Sequence, residues 1–205
     1  TNSCGRCCIS NTGNMPARGF EVHILVLEYL GHFASGLGRE ITLHEVPRMP
    51  WYSLLYPSQL ASVLRRINPD IVHSHSGVWL KASRATRLAR VAHMVHTDHG
   101  RPAVVPVIDG LTDNWASRET DLVIAVSDAL GTLLREKVVH DGGKVRVITN
   151  GMDVRPALTP LQRAAIRADL GLSLSAPVIG SIGRLEPIKN YQMALRAFAR
   201  LMAVG

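Results

Sequence analysis

The segment DLVIAVSDALGTLL, residues 121–134, places a strand and a helix in immediate succession. Its first six residues form a mostly apolar run with the length of a buried strand. Ser127 follows at a position suited to begin a helix, because its hydroxyl can accept a hydrogen bond from a free backbone N–H. Apolar side chains then recur at helical spacing: Leu130, Leu133, Leu134 and Val138. A strand that leads directly into an amphipathic helix is the repeating unit of a parallel α/β sheet.

The same alternation extends along most of the chain. We predict further strands at 21–27, 41–46, 70–73, 94–97 and 145–148, and further helices at 57–67 and 81–92. This succession predicts an α/β architecture with a doubly wound, mostly parallel, Rossmann-like sheet. Ligands of such sheets bind beyond the carboxyl ends of the strands, so the residues that follow each strand are the candidate site residues.

A domain boundary is predicted at residues 150–160, NGMDVRPALTP, which are rich in turn formers and have no apolar period. We assign residues 17–152 to a Rossmann-like N-terminal domain, 153–176 to a linker with a helix at 161–170, and 177–205 to the first units of a second Rossmann-like domain. The last region contains a predicted strand at 178–182 and a helix at 191–204. A single strand cannot bury both of its faces, so this region either packs on the first domain or begins a second one, and we favour the second interpretation.

The amino-terminal residues 1–16 show no apolar period at all. A Rossmann-like sheet normally begins with a buried strand before the first helix, and none is visible there. We therefore expect an irregular start, truncated or misframed, with the first strand of the sheet absent or garbled.

The composition is that of a folded, basic protein. Of its 205 residues 46% are hydrophobic, and the formal net charge is +7. Such a charge attracts phosphates, nucleic acids or anionic membranes. The arginines are spread over several predicted helices and not clustered with aromatic residues, which disfavours a nucleic-acid-binding domain. No apolar run approaches the ~18 residues of a membrane span, and three cysteines near one end make no disulfide framework, so we predict a cytoplasmic protein.

Two segments that follow predicted strands of the N-terminal domain carry polar groups. In VHTDHGR, residues 95–101, the side chains of His96, Asp98 and His99 are candidates for a metal site, a catalytic base or hydrogen bonds to a sugar. In TNGMD, residues 149–153, Asn150 and Gly151 are typical of a turn.

A third segment, GSIGRLEPIKN at residues 180–190, combines small residues with two cations. Gly183 lets the backbone approach a ligand. Arg184 and Lys189 lie beside the predicted start of the next helix, whose free N–H groups also favour anions. The segment therefore suits a diphosphate.

Two other groups of side chains leave alternatives open. His73 and His75 flank Ser74 after a predicted strand, and we expect one imidazole to point to the core and one to the cleft. A metal site there or at the amino-terminal cysteines is the weaker interpretation, because no second Cys/His pair follows at ligand spacing. The aromatic residues of MPWYSLLYP, residues 49–57, either line an acceptor surface or pack a loop onto the sheet.

Together and in this order, these segments resemble the retaining glycosyltransferases of family 4, which have the GT-B fold. In that family a GRL…KN segment opens the second domain and its cations hold the donor diphosphate. The resemblance implies this role for Arg184 and Lys189, with Gly183 beside them. A T-x-HG segment follows an N-domain strand, and its histidine faces the donor sugar and the acceptor, which implies that His99 is the catalytic residue.

The resemblance covers residues 17–205 and extends to other motifs, including PDIVHSH at 69–75 and an NG-x-D turn that matches Asn150, Gly151 and Asp153. The residues predicted to bind substrate are His96, Asp98, Gly100, His75, Asn150 and Gly151. No metal is predicted.

The resemblance implies a hexosyltransferase that moves a sugar, with retention, from a nucleotide-diphosphate sugar to an acceptor hydroxyl. The donor would be a substrate such as a UDP- or GDP-sugar, and no cofactor is expected. The acceptor would be a glycan or a lipid-linked molecule in cell-surface polysaccharide or glycolipid synthesis. Work on such acceptors takes place at the inner face of the membrane, so peripheral contact with anionic lipid is a further hypothesis.

Departures from the family pattern keep other interpretations open. The glycine-rich loop after the first strand has no counterpart, and the acidic motif late in the second domain would lie past residue 205. We therefore expect the chain to be inactive alone. The alternatives are a non-catalytic Rossmann-type nucleotide-binding or regulatory domain, which lacks its usual G-x-G-x-x-G turn here, and another GT-B enzyme such as a sugar-nucleotide epimerase.

Overall fold

A computed structural model of the chain describes residues 15–27, 34, 36–47, 49–102, 105–151, 156–183 and 185–204. It separates into two compact units, unit 1 with residues 1–153 and unit 2 with residues 154–205. All the strands in the described part of the chain belong to unit 1.

The described part of unit 1 contains six strands and four helices. The strands are β1 (Val22–Leu27), β2 (Ile41–Val46), β3 (Ile71–His75), β4 (His93–Asp98), β5 (Leu122–Ala125) and β6 (Val145–Val147). The helices are α1 (Ser58–Ile67), α2 (Trp79–Ala89), α3 (Val107–Arg118) and α4 (Asp128–Lys137). Short 3-10 turns cover Pro16–Arg18, Trp51–Leu54, Ser76–Val78 and Gly142–Lys144.

All strand pairs are parallel, which confirms the predicted α/β class. β3, β4, β5 and β6 form a four-stranded sheet in that order, and β1 pairs with β2. Neighbouring parallel strands need a long crossover, usually a helix. α2, α3 and α4 are the three crossovers of the larger sheet.

The described strands form two sheets and not the single sheet that the alternating pattern predicts. Side chains connect the two sheets where backbone pairing does not. Val72 of β3 packs against the apolar cluster of each sheet, and the helix α2 contributes buried residues to both clusters.

Two apolar clusters fill the interior of unit 1. The larger one lies between the four-stranded sheet and α2, α3 and α4, and Trp79 is its largest buried side chain. The smaller one joins Val46 of β2 to Leu60 and Leu64 of α1 and to Ala85 of α2. Burial of a large apolar side chain stabilises a fold by about 1.5–3 kcal/mol, so these clusters are the main source of stability.

The predicted beginning of α4 at Ser127 is confirmed. Its Oγ accepts a hydrogen bond from the backbone N–H of Leu130 at 3.3 Å. Leu130, Leu134 and Val138 are buried, as their helical spacing predicts.

The helix α3 is absent from the sequence-based prediction. Its buried residues are only Ala116 and Ser117, whereas Val107, Ile108 and Leu111 on its outer side are exposed. Because no apolar face of this helix repeats toward the core, the periodic signal is weak.

The predicted strand at residues 178–182 is wrong, since this segment is irregular in the structure. Val178, Ile179 and Ile182 are exposed, the last one completely. A strand forms only when a neighbour accepts its backbone hydrogen bonds, and the described residues of unit 2 offer no such partner.

Unit 2 contains two described helices, α5 (Pro160–Asp169) and α6 (Tyr191–Val204), and a 3-10 turn at Pro187–Lys189. Thr159 and Gln162 form a reciprocal capping box at the start of α5. The side chain of Asn190 accepts from the backbone N–H of Met193 at 3.3 Å and so begins α6. None of the helices in the described ranges is long and apolar enough to cross a membrane.

Two helical glycines of unit 1 allow a matched test of packing. A Cβ on Gly131 in α4 would lie 2.7 Å from Cγ2 of Val147, whereas a Cβ on Gly110 in α3 would meet nothing nearer than 3.8 Å. We expect Gly131→Ala to lower the free energy of unfolding by about 1–3 kcal/mol, because β6 and α4 would have to separate.

The matched variant Gly110→Ala should raise that free energy by about 0.5–1 kcal/mol, because alanine loses less backbone entropy in a helix. Urea unfolding followed by circular dichroism measures both. Equal effects of the two substitutions would contradict the close approach of α4 to β6.

Candidate active site

Four imidazoles lie near the carboxyl ends of β3 and β4. The parallel register places Ser74 opposite His96 and His75 opposite Thr97. Side chains alternate along a strand, so His73, His75 and Thr97 share one face of the sheet and Ser74 and His96 share the other. The register therefore places His73 and His75 on one face and His96 on the other.

The first group contains His73, His75 and His99. The rings of His73 and His75 are 4.3 Å apart between centroids, and His73 Nε2 lies 2.7 Å from Thr97 Oγ1. His75 Nδ1 lies 3.1 Å from His99 Nε2, with the two rings stacked. The expectation that His73 and His75 point to opposite faces is wrong, because residues two apart on a strand share a face.

Desolvation keeps these imidazoles neutral. Burial, followed by the neighbouring His73 and His99, lowers the pKa of His75 to about 4. Burial also lowers the pKa of His73 and that of His99, and in the case of His99 the adjacent Asp98 carboxylate opposes the shift. At neutral pH the cluster therefore presents uncharged hydrogen-bonding nitrogens and no positive charge.

The second group is a buried stack on the opposite face of the sheet. The indole of Trp79 lies flat against the imidazole of His96, at 4.1 Å between centroids and 5° between planes. Ser74 Oγ lies 2.8 Å from His96 Nδ1, and Trp79 Nε1 donates to Thr120 Oγ1 at 2.9 Å. Burial, the largest cause, lowers the pKa of His96 well below its usual value.

His96 is only 1% exposed. A direct contact between its imidazole and a substrate, as the sequence suggests, would require the surrounding side chains to move. The structure gives His96 a packing role beneath the site, and its predicted substrate contact stays a prediction.

The turn after β4 is held by an ion-pair network. Asp98 is buried, its Oδ1 accepts from the backbone N–H of Gly100 at 2.9 Å, and its Oδ2 accepts from Arg101 Nε at 2.7 Å. A second guanidinium nitrogen of Arg101 also donates to Asp98, and a third donates to Asp113 of α3 at 2.9 Å. Gly100 has φ +134°, a conformation that side chains rarely adopt.

The end of β3 carries backbone strain. Ser76 has φ +54°, in the left-handed region that residues other than glycine, asparagine and aspartate seldom occupy. Such strain costs about 1–3 kcal/mol and persists where the surrounding contacts fix it. This residue follows directly on His75, where β3 ends.

The other predicted site residues belong to three further parts of the chain. Asn150 and Gly151 follow β6 and are exposed. In unit 2 Lys189 is exposed, and a Cβ on Gly183 would lie 2.5 Å from Tyr191 Oη, so a side chain there would displace the tyrosine ring. Arg184, Asp153 and the three cysteines lie outside the described residues.

Two of the remaining alternatives concern residues that the structure describes at least in part. No group of three His, Cys, Asp or Glu side chains among the described residues could hold a metal ion. Trp51, Tyr52 and Tyr56 are exposed and do not pack a loop onto the sheet.

Sequence reasoning missed Trp79, Arg101 and Asp113. Arg101 belongs to the segment that the sequence had singled out, and its position two residues after His99 was an available signal. Asp113 gave no signal, because it lies 12 residues further on in a helix that was not predicted.

Comparison with solved structures places this architecture among the GT-B glycosyltransferases. Anabaena HepE, solved in complex with UDP and glucose, matches 97% of this chain and 55% of its own, with a TM-score of 0.75 and 23% identity. At that identity the likeness concerns the fold. The family model of Glycosyltransferase Family 4 matches residues 6–155, and the chain belongs to that family.

Curated relatives agree with this assignment. D-inositol 3-phosphate glycosyltransferase of Stackebrandtia nassauensis is 30% identical over 191 residues, which cover 80% of this chain and 42% of that protein. The Rhodococcus jostii protein of the same name is 35% identical over 148 residues, which cover 65% of this chain and 32% of that protein. The chain thus spans less than half the length of these relatives.

The neutral histidines predict a stability that depends on pH. The pKa of His75 is lower in the folded chain than in the unfolded one, so its contribution is complete above about pH 6.5 and is lost as the pH falls toward 4. We expect His75→Gln to remove about 1 kcal/mol of the difference in unfolding free energy between pH 7 and pH 5, allowing for partial exposure of the ring.

Urea titrations at the two pH values measure this difference. His140→Gln is the matched control, because His140 is exposed and lies outside the cluster. Burial raises the pKa of Asp113 against the opposing effect of Arg101, so Asp113 changes the unfolding free energy with pH in the opposite direction. Asp113 is present in every variant, so its effect cancels in the comparison. An unchanged pH dependence in His75→Gln would refute the buried cluster.

Proposed function

We propose that this chain provides the acceptor-side domain and the beginning of the donor-binding domain of a retaining glycosyltransferase. The donor is a nucleoside-diphosphate hexose, and the acceptor is a hydroxyl of a polyol, a glycan or a lipid-linked glycan. The observation that carries the proposal is the neutral cluster of His73, His75 and His99 at the carboxyl ends of β3 and β4, in a chain of family 4.

The imidazoles suit recognition of sugar hydroxyls. A neutral imidazole has one N–H donor and one acceptor nitrogen, and a hydroxyl offers the complementary pair. The hydrogen bond between His75 and His99 uses one nitrogen of each ring. In this proposal Nδ1 of His99 orients the donor sugar or the acceptor hydroxyl, and His99 is the catalytic residue.

The donor diphosphate requires a separate, positive site. Departure of a nucleoside diphosphate develops negative charge, and electrostatic stabilisation of such charge usually contributes more to catalysis than any other single effect. We assign that role to Arg184 and Lys189, with the N–H groups at the start of α6 and the close backbone at Gly183. No cofactor is needed in this scheme, because the protein's own cations neutralise the leaving group.

The acceptor is the least constrained part of the proposal. The relatives named as D-inositol 3-phosphate glycosyltransferases favour a small polyol phosphate as the first acceptor to test. Glycolipid or cell-surface polysaccharide synthesis at the inner face of the membrane is the broader assignment, and lipid-linked acceptors are the second class to test.

The donor site predicts base-selective nucleotide binding. In the full-length gene product that carries this sequence, titration calorimetry should detect UDP or GDP, and Lys189→Ala and Arg184→Ala should each weaken binding by about tenfold to a hundredfold. That range corresponds to the loss of one charge-assisted hydrogen bond, about 1.5–3 kcal/mol.

Arg196→Ala is the control, because it removes an exposed cation from α6, the helix that follows the segment at 180–190. Equal losses of nucleotide affinity in all three variants would mean that the net charge, and not these two positions, determines binding. If the folded full-length protein binds no nucleotide, the proposed transferase function is overturned and the non-catalytic regulatory domain is favoured.

Membrane contact is a second part of the proposal, and it concerns the outer face of α3. Val107, Ile108, Leu111 and Trp115 fall within one side of this helix and are all exposed. An exposed apolar stripe on a chain with a net charge of +7 suits the surface of an anionic bilayer.

We expect the chain to float with vesicles of phosphatidylcholine and phosphatidylserine at low salt, and Leu111→Glu to reduce the bound fraction severalfold because a carboxylate resists burial among lipids. Leu161→Glu in α5 makes the same change at another exposed leucine and should have no such effect. Absence of flotation at low salt would remove membrane contact from the proposal.

A further inference from the structure

The turn that carries His99 is tied to α3 by a network with charges in a fixed order: Asp98, Arg101, Asp113. The side chains of Asp98 and Arg101 are 5% and 13% exposed, so water screens their attraction poorly. Arg101 donates to both carboxylates through different nitrogens. A planar guanidinium with two fixed partners holds one orientation, which a lysine could not reproduce.

Asp98 connects this network to the backbone beside His99. Its Oδ1 accepts from the N–H of Gly100, and its Oδ2 accepts from Arg101. His99 thus lies between a buried carboxylate that holds the residue after it and a guanidinium two residues on. The positive φ of Gly100 turns the chain sharply enough for both contacts to form.

The outer anchor is Asp113. Because α3 buries only Ala116 and Ser117, the contact of Asp113 with Arg101 at 2.9 Å is a principal polar link between this helix and the turn. The carboxylate of Asp113 is itself half-buried, so loss of Arg101 would leave it without compensation. The three charged side chains therefore depend on one another.

We propose that Arg101 and Asp113 are positioning residues that fix the imidazole of His99 against His75, a role that rests on the proposed transferase function. Neither side chain touches substrate in this scheme. Arg101 orients the turn through Asp98, and Asp113 sets the orientation of Arg101 from α3. The distance of 3.1 Å between His75 Nδ1 and His99 Nε2 is the geometry that they maintain.

The first test reads His99 directly and needs no enzymatic activity. In this chain, carbon–proton correlation spectra of the imidazoles report each ring, and nuclear Overhauser contacts report the proximity of His75 and His99. We expect Asp113→Asn and Arg101→Lys to shift the His99 resonances and weaken its contact with His75. Asp113→Glu, which keeps the charge, should restore part of both signals.

A matched control removes a different ion pair. Arg87 pairs with Glu119 at 2.7 Å through an exposed guanidinium, and Arg87→Gln should leave the His99 signals unchanged. Unchanged His99 signals in folded Asp113→Asn and Arg101→Lys would overturn the proposal. If one variant fails to fold, the other still decides.

The second test uses the full-length protein. Asp113→Asn should lower kcat by about tenfold to a hundredfold with little change in the KM of the donor, because a small displacement of His99 affects the reacting geometry and not donor binding. A rise in KM with unchanged kcat would contradict the positioning role. Wild-type protein without transferase activity would overturn the proposed function, while the spectra would still decide whether Arg101 and Asp113 position His99.

Discussion

The parallel pairing of β3 with β4 is the constraint on which the rest of the site depends. Its register, Ser74 opposite His96 and His75 opposite Thr97, sends His73, His75 and Thr97 to one face of the sheet and Ser74 and His96 to the face that Trp79 covers. A shift by a single residue would exchange the two sets. The stack of Trp79 on His96 works against such a shift, because it fills the covered face with a large and closely fitted pair.

Burial then gives the two faces different chemistry from the same residue type. Beneath the sheet, His96 is enclosed and serves packing. Above it, His75 and His99 keep partial access to solvent while desolvation holds them neutral. Charge is concentrated instead in the network of Asp98, Arg101 and Asp113, whose partners compensate one another. The neutral hydrogen-bonding imidazoles and the charged side chains therefore form two separate groups on either side of the turn after β4.

Much of this arrangement could be predicted from sequence, and the failures share a physical cause. The strands at 41–46 and 121–126 and the cap at Ser127 are local signals, since apolar runs and capping hydroxyls act within a few residues. The segment at 178–182 has the same apolar character but lacks a strand to pair with. Pairing depends on a neighbouring strand, so the sequence of the segment alone does not determine it. Likewise α3 escaped prediction because its apolar side chains face outward. Asp113 could not be connected to His99 without knowing that α3 folds back over the turn.

The helix α3 has two faces with different partners. At 3.6 residues per turn, Asp113 lies on the side opposite the stripe of Val107, Ile108 and Leu111. The face with the apolar stripe is exposed, and the opposite face contacts the turn of His99 through the hydrogen bond from Arg101 to Asp113. Because a helix moves as a rigid body, whatever orders or displaces its outer face also acts on the inner one. If a contact on the outer face depends on the position of α3, thermodynamic reciprocity requires the His99 turn and that contact to affect each other equally. α3 is thus the element through which a contact on its outer stripe would act on the turn of His99.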